Sequence, residues 1–141
     1  MFIFDTDRVG IIQWQSEPDY SRLMARVALH SPADFFVTVV SLHEEFLGWS
    51  AYIAKAKNLN GIVKAYDEFL QILCDFDSAQ VLPFDDPAAH QFSQLKQQKI
   101  RIGTMDLRIA AIAVSRSMKL LSRNRTDFQQ VPGLALEDWT T

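Results

Sequence analysis

The chain has 141 residues, of which 48% are apolar and 22% charged, and its formal net charge is −3. This composition is typical of a folded globular protein, and the length suits one domain with a sizeable core. We therefore predict a single domain over residues 1–141. No apolar run is long enough to cross a membrane, and the only cysteine, Cys74, cannot form an internal disulfide. We expect a cytoplasmic protein without membrane contact, with Cys74 in its core.

The negative charge disfavours a broad basic surface for nucleic acid. It is compatible with a local basic groove, because several of the acids are candidates for a metal site, where a bound cation would offset their charge. Each arginine expected near that site is either a substrate contact or part of a surface ion pair. These arginines are Arg8, Arg101, Arg108, Arg123 and Arg125.

Short apolar, β-branched segments alternate with longer helical patterns along the chain. This alternation is typical of βαβ units and predicts an α/β protein with a parallel sheet. The predicted strands are 1–5, 35–40, 79–83, 119–122 and, more weakly, 134–138. The predicted helices are 7–15, 18–30, 42–57, 59–77, 85–98 and 104–117.

Polar residues mark the starts of several predicted helices. Ser41 and Glu44 have the spacing of a capping box, which would place Glu44 at the third helical position. Thr104 is predicted to cap helix 104–117 and to place Asp106 in its first turn. Asp7 is predicted to cap the first helix.

Aromatic and apolar residues are numerous for a small domain. The tryptophans at 14, 49 and 139 are interpreted as packing anchors rather than stacking platforms. Helices 42–57 and 59–77 carry more apolar residues than one buried face needs, so a surplus face is available to bind a partner.

Four carboxylates lie where predicted strands give way to turns or helices. Asp5 and Asp127 follow strands, and Glu44 begins the helix that leaves another strand. Asp106 begins a helix that runs into strand 119–122, and so starts at the carboxyl end of that strand. Because the carboxyl ends of parallel strands share one edge of the sheet, we expect the four acids to converge.

Acids placed together in this way repel one another and resist ionising unless a cation offsets their charge. Oxygen ligands suit Mg²⁺ or Mn²⁺, so the pattern predicts a metal-dependent enzyme that acts on phosphodiesters. We predict that Asp5 is a direct or bridging ligand, and that Asp106 and Asp127 complete the site. Glu44 is expected to hold a metal or its water, and Asp7 is a further candidate. Each acid alone is more often a helix cap than a ligand.

Segments in this order resemble the PIN-domain ribonucleases, and in particular the VapC-like toxins of bacterial type II toxin–antitoxin pairs. The resemblance spans the whole chain. The matching segments are 4–7 (Phe-Asp-Thr-Asp), 41–49 (Ser-Leu-His-Glu-Glu-Phe-Leu-Gly-Trp), 102–111 (Ile-Gly-Thr-Met-Asp-Leu-Arg-Ile-Ala-Ala), 121–128 (Leu-Ser-Arg-Asn-Arg-Thr-Asp-Phe) and the ending 131–139.

The resemblance implies a PIN-like three-layer α/β/α sandwich around a mostly parallel sheet of four to five strands. It also implies that the four acids form a Mg²⁺ or Mn²⁺ site that cleaves RNA, with Glu44 rather than Glu45 as the functional glutamate. The chain has Asp7 where the family usually has Asn. Some relatives place the last acid where this chain has Asn124, so the fourth site residue is either Asp127 or Asn124. Residues expected to support the site or bind substrate are Thr6, Asp7, Thr104, Arg123 and Asn124.

By the same resemblance, a cognate antitoxin would bind the protein and insert a segment near the metal site, where an arginine would suit the acidic pocket. The resemblance also implies a homodimer. One alternative is a catalytically silent PIN-like domain that only binds RNA or a protein. The other is a haloacid-dehalogenase-like phosphatase that uses Asp5 and Asp7, although the acidic pair at 85–86 is misplaced for that chemistry.

Overall fold

Short strands alternate with helices along the whole of residues 1–141, all of which are described by this computed structural model. The strands are β1 (Phe2–Phe4), β2 (Phe35–Thr38), β3 (Val81–Leu82), β4 (Lys119–Leu121) and β5 (Leu136–Glu137). The helices are α1 (Thr6–Trp14), α2 (Asp19–Val27), α3 (Val39–Lys55), α4 (Leu59–Asp77), α5 (Asp86–Gln97), α6 (Thr104–Ser115) and α7 (Arg125–Phe128). A single 3-10 turn at Pro32–Asp34 precedes β2.

The five strands form one sheet in the order β3-β2-β1-β4-β5, and every pairing is parallel. Strand β1 lies at the centre, where Phe2 pairs with Phe35 on one side and with Lys119 on the other. The predicted α/β fold with a parallel sheet of four to five strands is therefore confirmed. The carboxyl ends of β1, β2 and β4 meet at one edge.

Alternation along the strands builds a core on each side of the sheet. Ile3 and Leu120 face α5 and α6, whereas Phe4 and Leu121 face α1, α2 and α4. Small residues let α6 pack closely, and Ile109 together with the four residues that follow it is fully buried. The result is three layers, with helices on both faces of the sheet.

Three predicted helix caps are wrong, because the helices begin at other residues. Strand β2 ends at Thr38, whose Oγ1 accepts a hydrogen bond from the backbone N–H of Ser41 (3.2 Å), so Thr38 caps α3 in place of Ser41. Glu44 therefore lies a turn further into the helix than a capping box would place it. Helix α6 follows Gly103 rather than a capping Thr104, and Asp5 rather than Asp7 caps α1.

Other expectations on packing also fail. Cys74 is exposed, because α4 turns Ile72 and Phe76 inward and a residue two positions from Ile72 points away from the core. Trp14 ends α1 and is 61% exposed, whereas Trp139 is buried as predicted. The short helix α7 was not predicted, and it carries Asp127. No helix combines the length and apolar character needed to cross a membrane.

Candidate functional site

Asp5 lies at the junction of β1 and α1 and is almost completely buried. Its Oδ1 accepts a hydrogen bond from the backbone N–H of Thr6 (2.8 Å), and its Oδ2 accepts one from the hydroxyl of Ser122 (2.7 Å). Burial and the nearby carboxylates of Asp7 and Asp106 raise the pKa of Asp5 to about 7, although these two hydrogen bonds oppose the shift. The central carboxylate thus resists ionising when no cation is near.

Glu44 reaches the same edge from α3. The hydroxyl of Thr6 donates to Glu44 Oε1 (2.8 Å) and lies 2.9 Å from Ser41 Oγ. Thr6 therefore connects the first turn of α1 to the glutamate.

Asp106 and Asp127 are joined by the side chain of Asn124. Its Nδ2 donates to Asp127 Oδ2 (2.9 Å) and lies 3.5 Å from Asp106 Oδ2. Burial raises the pKa of Asp106, and the carboxylates of Glu44, Asp127 and Asp7 raise it further. Asn124 and Asp127 are thus both at the site.

Asp7 is a fifth acid of this cluster. Its Oδ1 is buried without a hydrogen-bond partner, and its Oδ2 lies 3.9 Å from Nε of Arg123. Arg123 also forms an ion pair with Asp19 (2.7 Å), so it bridges the loop after β4 and helix α2. Arg123 is the predicted arginine that contacts the acidic cluster.

Other predicted residues lie elsewhere. Thr104 is exposed at the start of α6. Arg8 is completely buried and forms an ion pair with Asp138 (2.9 Å) instead of reaching the site. Arg108 lies beside Met105 and the ring of Phe92. Arg101 and Arg125 are exposed.

Sequence reasoning missed two buried serines that hold the cluster together. Ser122 links Asp5 to the backbone N–H of Asn124 (3.0 Å), and Ser41 contacts Thr6. The signal for Ser122 was present, because it directly follows the strand that ends at Leu121 and so lies at the edge where the acids meet. Ser41 was assigned to a helix cap instead.

The chemistry of the donors suits a hard divalent cation, since the cluster consists of carboxylate and amide oxygens. No three His, Cys, Asp or Glu side chains are close enough together to hold one ion. The carboxylates of Glu44, Asp5 and Asp127 instead accept hydrogen bonds from Thr6, Ser122 and Asn124. The unpartnered Oδ1 of Asp7 and the raised pKa values of Asp5 and Asp106 nevertheless indicate carboxylates that a bound cation would stabilise in their charged form. An ion held through one or two carboxylates and water fits these residues.

A parallel α/β sandwich with carboxylates at the carboxyl edge of its central strands is a PIN-like architecture. In sequence, the chain is 27% identical over 142 aligned positions to the tRNA(fMet)-specific endonuclease VapC of Salmonella typhimurium, and the alignment covers 98% of this chain and 97% of the relative. No protein-family model matches the chain. The chain is therefore VapC-like along its whole length, as its motifs predict.

Solved structures agree with this fold. The DNA-bound VapBC complex of Salmonella typhimurium contains a chain that superposes with a TM-score of 0.73 at 24% identity, over 98% of this chain and 97% of the other. VapBC-1 of nontypeable Haemophilus influenzae gives a TM-score of 0.74 at 21% identity, over 99% and 98% of the two chains. These likenesses confirm the PIN-like fold.

Proposed function

We propose that this chain is a Mg²⁺- or Mn²⁺-dependent endoribonuclease and the toxin of a toxin–antitoxin pair. The observation that carries the proposal is the convergence of Asp5, Glu44, Asp106 and Asp127 at one edge of the sheet. There, burial and neighbouring carboxylates raise the pKa of Asp5 and of Asp106. Similarity to a VapC endonuclease over nearly the full length of both chains supports the same activity.

Each residue has a distinct part in this proposal. Asp5 and Asp106 hold the divalent ion, and Asp127 completes its environment. When bound, the ion supplies a water of lowered pKa and offsets charge on the phosphate. Glu44, held by Thr6, accepts a proton from the attacking water, while Asn124 keeps Asp106 and Asp127 in place.

Arg123 is proposed to contact the RNA backbone. It is about half exposed and lies between Asp7 and Asp19, so its guanidinium is held at the rim of the acidic cluster. A phosphate entering the site would find this cation beside the carboxylates, and a guanidinium suits phosphate oxygens.

A cognate antitoxin is the proposed protein partner. The structures that resemble this chain are described as VapBC complexes, which supports such a partner here. We also propose a homodimer. Exposed apolar side chains on α3 and α4 offer surface for protein contacts, and they include Leu47, Leu59, Val63, Tyr66 and Leu70.

Cleavage of RNA tests the nuclease directly. Initiator tRNA is the first substrate to try, because the similar Salmonella protein is specific for tRNA(fMet) by name. A mixed RNA pool follows, with Mg²⁺ or Mn²⁺ and with EDTA as the control. We expect metal-dependent fragments from the wild type and none from Asp5→Asn or Asp106→Asn.

The matched control is Asp86→Asn, which makes the same chemical change at an exposed acid on α5. It should cut like the wild type. If the folded wild type cuts no RNA under any of these conditions, the chain is instead a silent PIN-like binding domain. If Asp5→Asn cuts normally, the acidic cluster is not the active site.

A further inference from the structure

One face of helix α2 carries two arginines that have no carboxylate partner. Asp19, Arg22 and Arg26 follow one another at spacings of three and four residues, so they lie along one face of the helix. Arg22 and Arg26 are exposed, and neither takes part in an ion pair. Asp19 pairs with Arg123 (2.7 Å), which also approaches Asp7. This face of α2 thus begins at the rim of the acidic cluster.

Backbone carbonyl groups hold the two guanidinium groups in place. Nη1 of Arg22 donates to the carbonyl oxygen of Thr140 (3.3 Å), and Nη1 of Arg26 donates to that of Asp138 (3.3 Å). The guanidinium of Arg26 also lies 5.2 Å from the centre of the Trp139 ring. Because a carbonyl carries no net charge, each arginine keeps its full positive charge, and each has further N–H donors that these contacts do not use.

The acids near this face are already engaged. Asp138 pairs with Arg8 (2.9 Å), and Glu17 accepts a hydrogen bond from a serine hydroxyl of α2 (2.6 Å). Against the effect of burial, hydrogen bonds from Thr140 and the charges of Arg8 and Arg125 lower the pKa of Asp138, so Arg125 lies near the same segment. Arg125 is exposed and forms no ion pair either.

Positive charge is therefore concentrated on one side of a chain whose formal net charge is −3. We call this side the α2 arginine face, and it is defined by Arg22, Arg26, Arg123 and Arg125. It extends from the acidic cluster along α2 and past residues 138–140. A polyanion that enters the acidic cluster would meet compensating charge on this side.

We propose that the α2 arginine face binds the backbone of the RNA strand that leaves the proposed active site. Arg123 would contact a phosphate at the rim of the cluster, and Arg22 and Arg26 the phosphates that follow. The last two residues are about 6 Å apart along the helix axis, which suits successive phosphates of a single strand. Such contacts fix the path of the strand without reading its bases. The proposal rests on the proposed nuclease function, which supplies RNA as the ligand.

A purely structural role for Arg22 and Arg26 makes a different prediction. If they only fastened residues 138–140 to α2, their loss would lower the Tm and leave the affinity for RNA unchanged. Exposed guanidinium groups with unused donors exceed what such a fastening needs, whereas phosphate oxygens would use those donors.

Binding of single-stranded RNA to the whole chain tests the proposal. The probe is a fluorescently labelled oligouridylate of about twelve nucleotides. Its anisotropy is followed over a range of NaCl concentrations in EDTA, where metal-dependent cleavage cannot proceed. Arg22→Gln combined with Arg26→Gln should weaken binding about tenfold at low salt. The slope of log affinity against log salt concentration should become shallower by about 1.4, or about 0.7 for each lost phosphate contact.

Two further double variants are the controls. Lys55→Gln with Lys57→Gln removes two exposed, unpaired charges at the far end of α3, so the net charge changes equally. It should keep the wild-type affinity and salt slope. Arg22→Lys with Arg26→Lys retains the charge and should keep most of both. Circular dichroism and Tm establish that each variant is folded.

Several results would overturn the proposal. They are an unchanged affinity in the Arg→Gln double variant, and an equal loss in the Lys→Gln control. Pyrophosphate that competes as well as unlabelled RNA at equal phosphate concentration would assign the arginines to a free anion. Tighter binding of a DNA strand of matching sequence would assign them to DNA.

RNA cleavage with Mg²⁺ is measured in parallel on the same proteins. Cleavage by the wild type, without any effect of the Arg→Gln variant on RNA binding, would remove the α2 arginine face and leave the nuclease. Binding that depends on Arg22 and Arg26, without cleavage, would leave the face and remove the nuclease.

Discussion

The hydroxyl of Ser122 donates a 2.7 Å hydrogen bond to Asp5 while it accepts the backbone N–H of Asn124 at 3.0 Å. One buried oxygen thereby fixes the central carboxylate relative to the loop that carries Asp127. The orientation of the acidic cluster depends on this contact between the ends of β1 and β4.

Ser122→Ala should therefore disturb the site and the fold together. Loss of the donor leaves a buried carboxylate oxygen unsatisfied, at a cost of about 1–3 kcal/mol in the free energy of unfolding. Groups that orient a ligand typically change metal affinity about 10–100-fold, so Mg²⁺ binding should weaken by that factor. Chemical denaturation and calorimetric titration with Mg²⁺ provide the two measurements.

Ser122→Thr keeps the hydroxyl and should therefore retain most of the stability and most of the Mg²⁺ affinity of the wild type. Ser115→Ala removes a hydroxyl that contacts only its own helix, at Ile112, and serves as the control. An unchanged Mg²⁺ affinity in Ser122→Ala would show that the serine has no part in orienting the site.

The raised pKa of Asp5 predicts a pH-dependent stability in metal-free protein. The folded state holds the proton more tightly than the unfolded state, whose carboxyl has a pKa near 3.8, so this stabilisation is complete below that value. It is lost as the pH rises through about 7. In EDTA, the free energy of unfolding should fall by roughly 1–4 kcal/mol over this interval. Asp5→Asn, which cannot ionise, should flatten that decline. A decline of the same size in Asp5→Asn would contradict the assignment.

Added Mg²⁺ should stabilise the folded protein by mass action, because the unfolded chain has no assembled site. At 100 times the Kd the gain is about 2.7 kcal/mol, measured as a rise in Tm. Asp5→Asn and Asp106→Asn should lose this rise, whereas Asp86→Asn should keep it. An equal rise in all four proteins would indicate that Mg²⁺ binds somewhere else.

The buried pair of Arg8 and Asp138 should respond unequally to removal of either partner. Arg8 is completely buried, and its Nε and one terminal nitrogen have no hydrogen-bond partner. Asp138→Ala leaves the guanidinium buried without a charged partner and should lower the free energy of unfolding by about 3–5 kcal/mol. Arg8→Met replaces the cation with an apolar side chain and should cost less, because Asp138 keeps two hydrogen bonds from Thr140. Urea denaturation measures both, and an equal cost for the two variants would contradict this account.

The place of Asp5, Glu44 and Asp106 could be predicted from the sequence because strand direction alone decides which edge a carboxylate reaches. Local signals were less reliable. Ser41 and Glu44 have the spacing of a capping box, but β2 ends two residues earlier than its apolar run suggests, and Thr38 caps the helix instead. Tertiary pairing with β1 and β3 decides where that strand stops, and no local pattern encodes it.

Contacts between distant segments also escaped prediction. Arg8 looks like a surface residue of α1, yet Asp138 compensates its charge from the other end of the chain. Periodicity failed for Cys74 because an apolar run of α4 continues past the face that meets the core. The surplus of apolar side chains on α3 and α4 was predicted from the sequence, and Leu47, Val63 and Leu70 are indeed exposed there.

The central position of β1 also bears on how the protein is made. Its neighbour β2 (Phe35–Thr38) emerges from the ribosome early, but β4, with Ser122 and the loop to Asp127, begins only at Lys119. Sheets built from such distant partners form late, because the intervening chain must be ordered first. A partly synthesised polypeptide would therefore carry Asp5 and Glu44 without the rest of the acidic cluster. If the proposed nuclease activity is correct, the order of synthesis keeps the nascent chain harmless to the RNA around it.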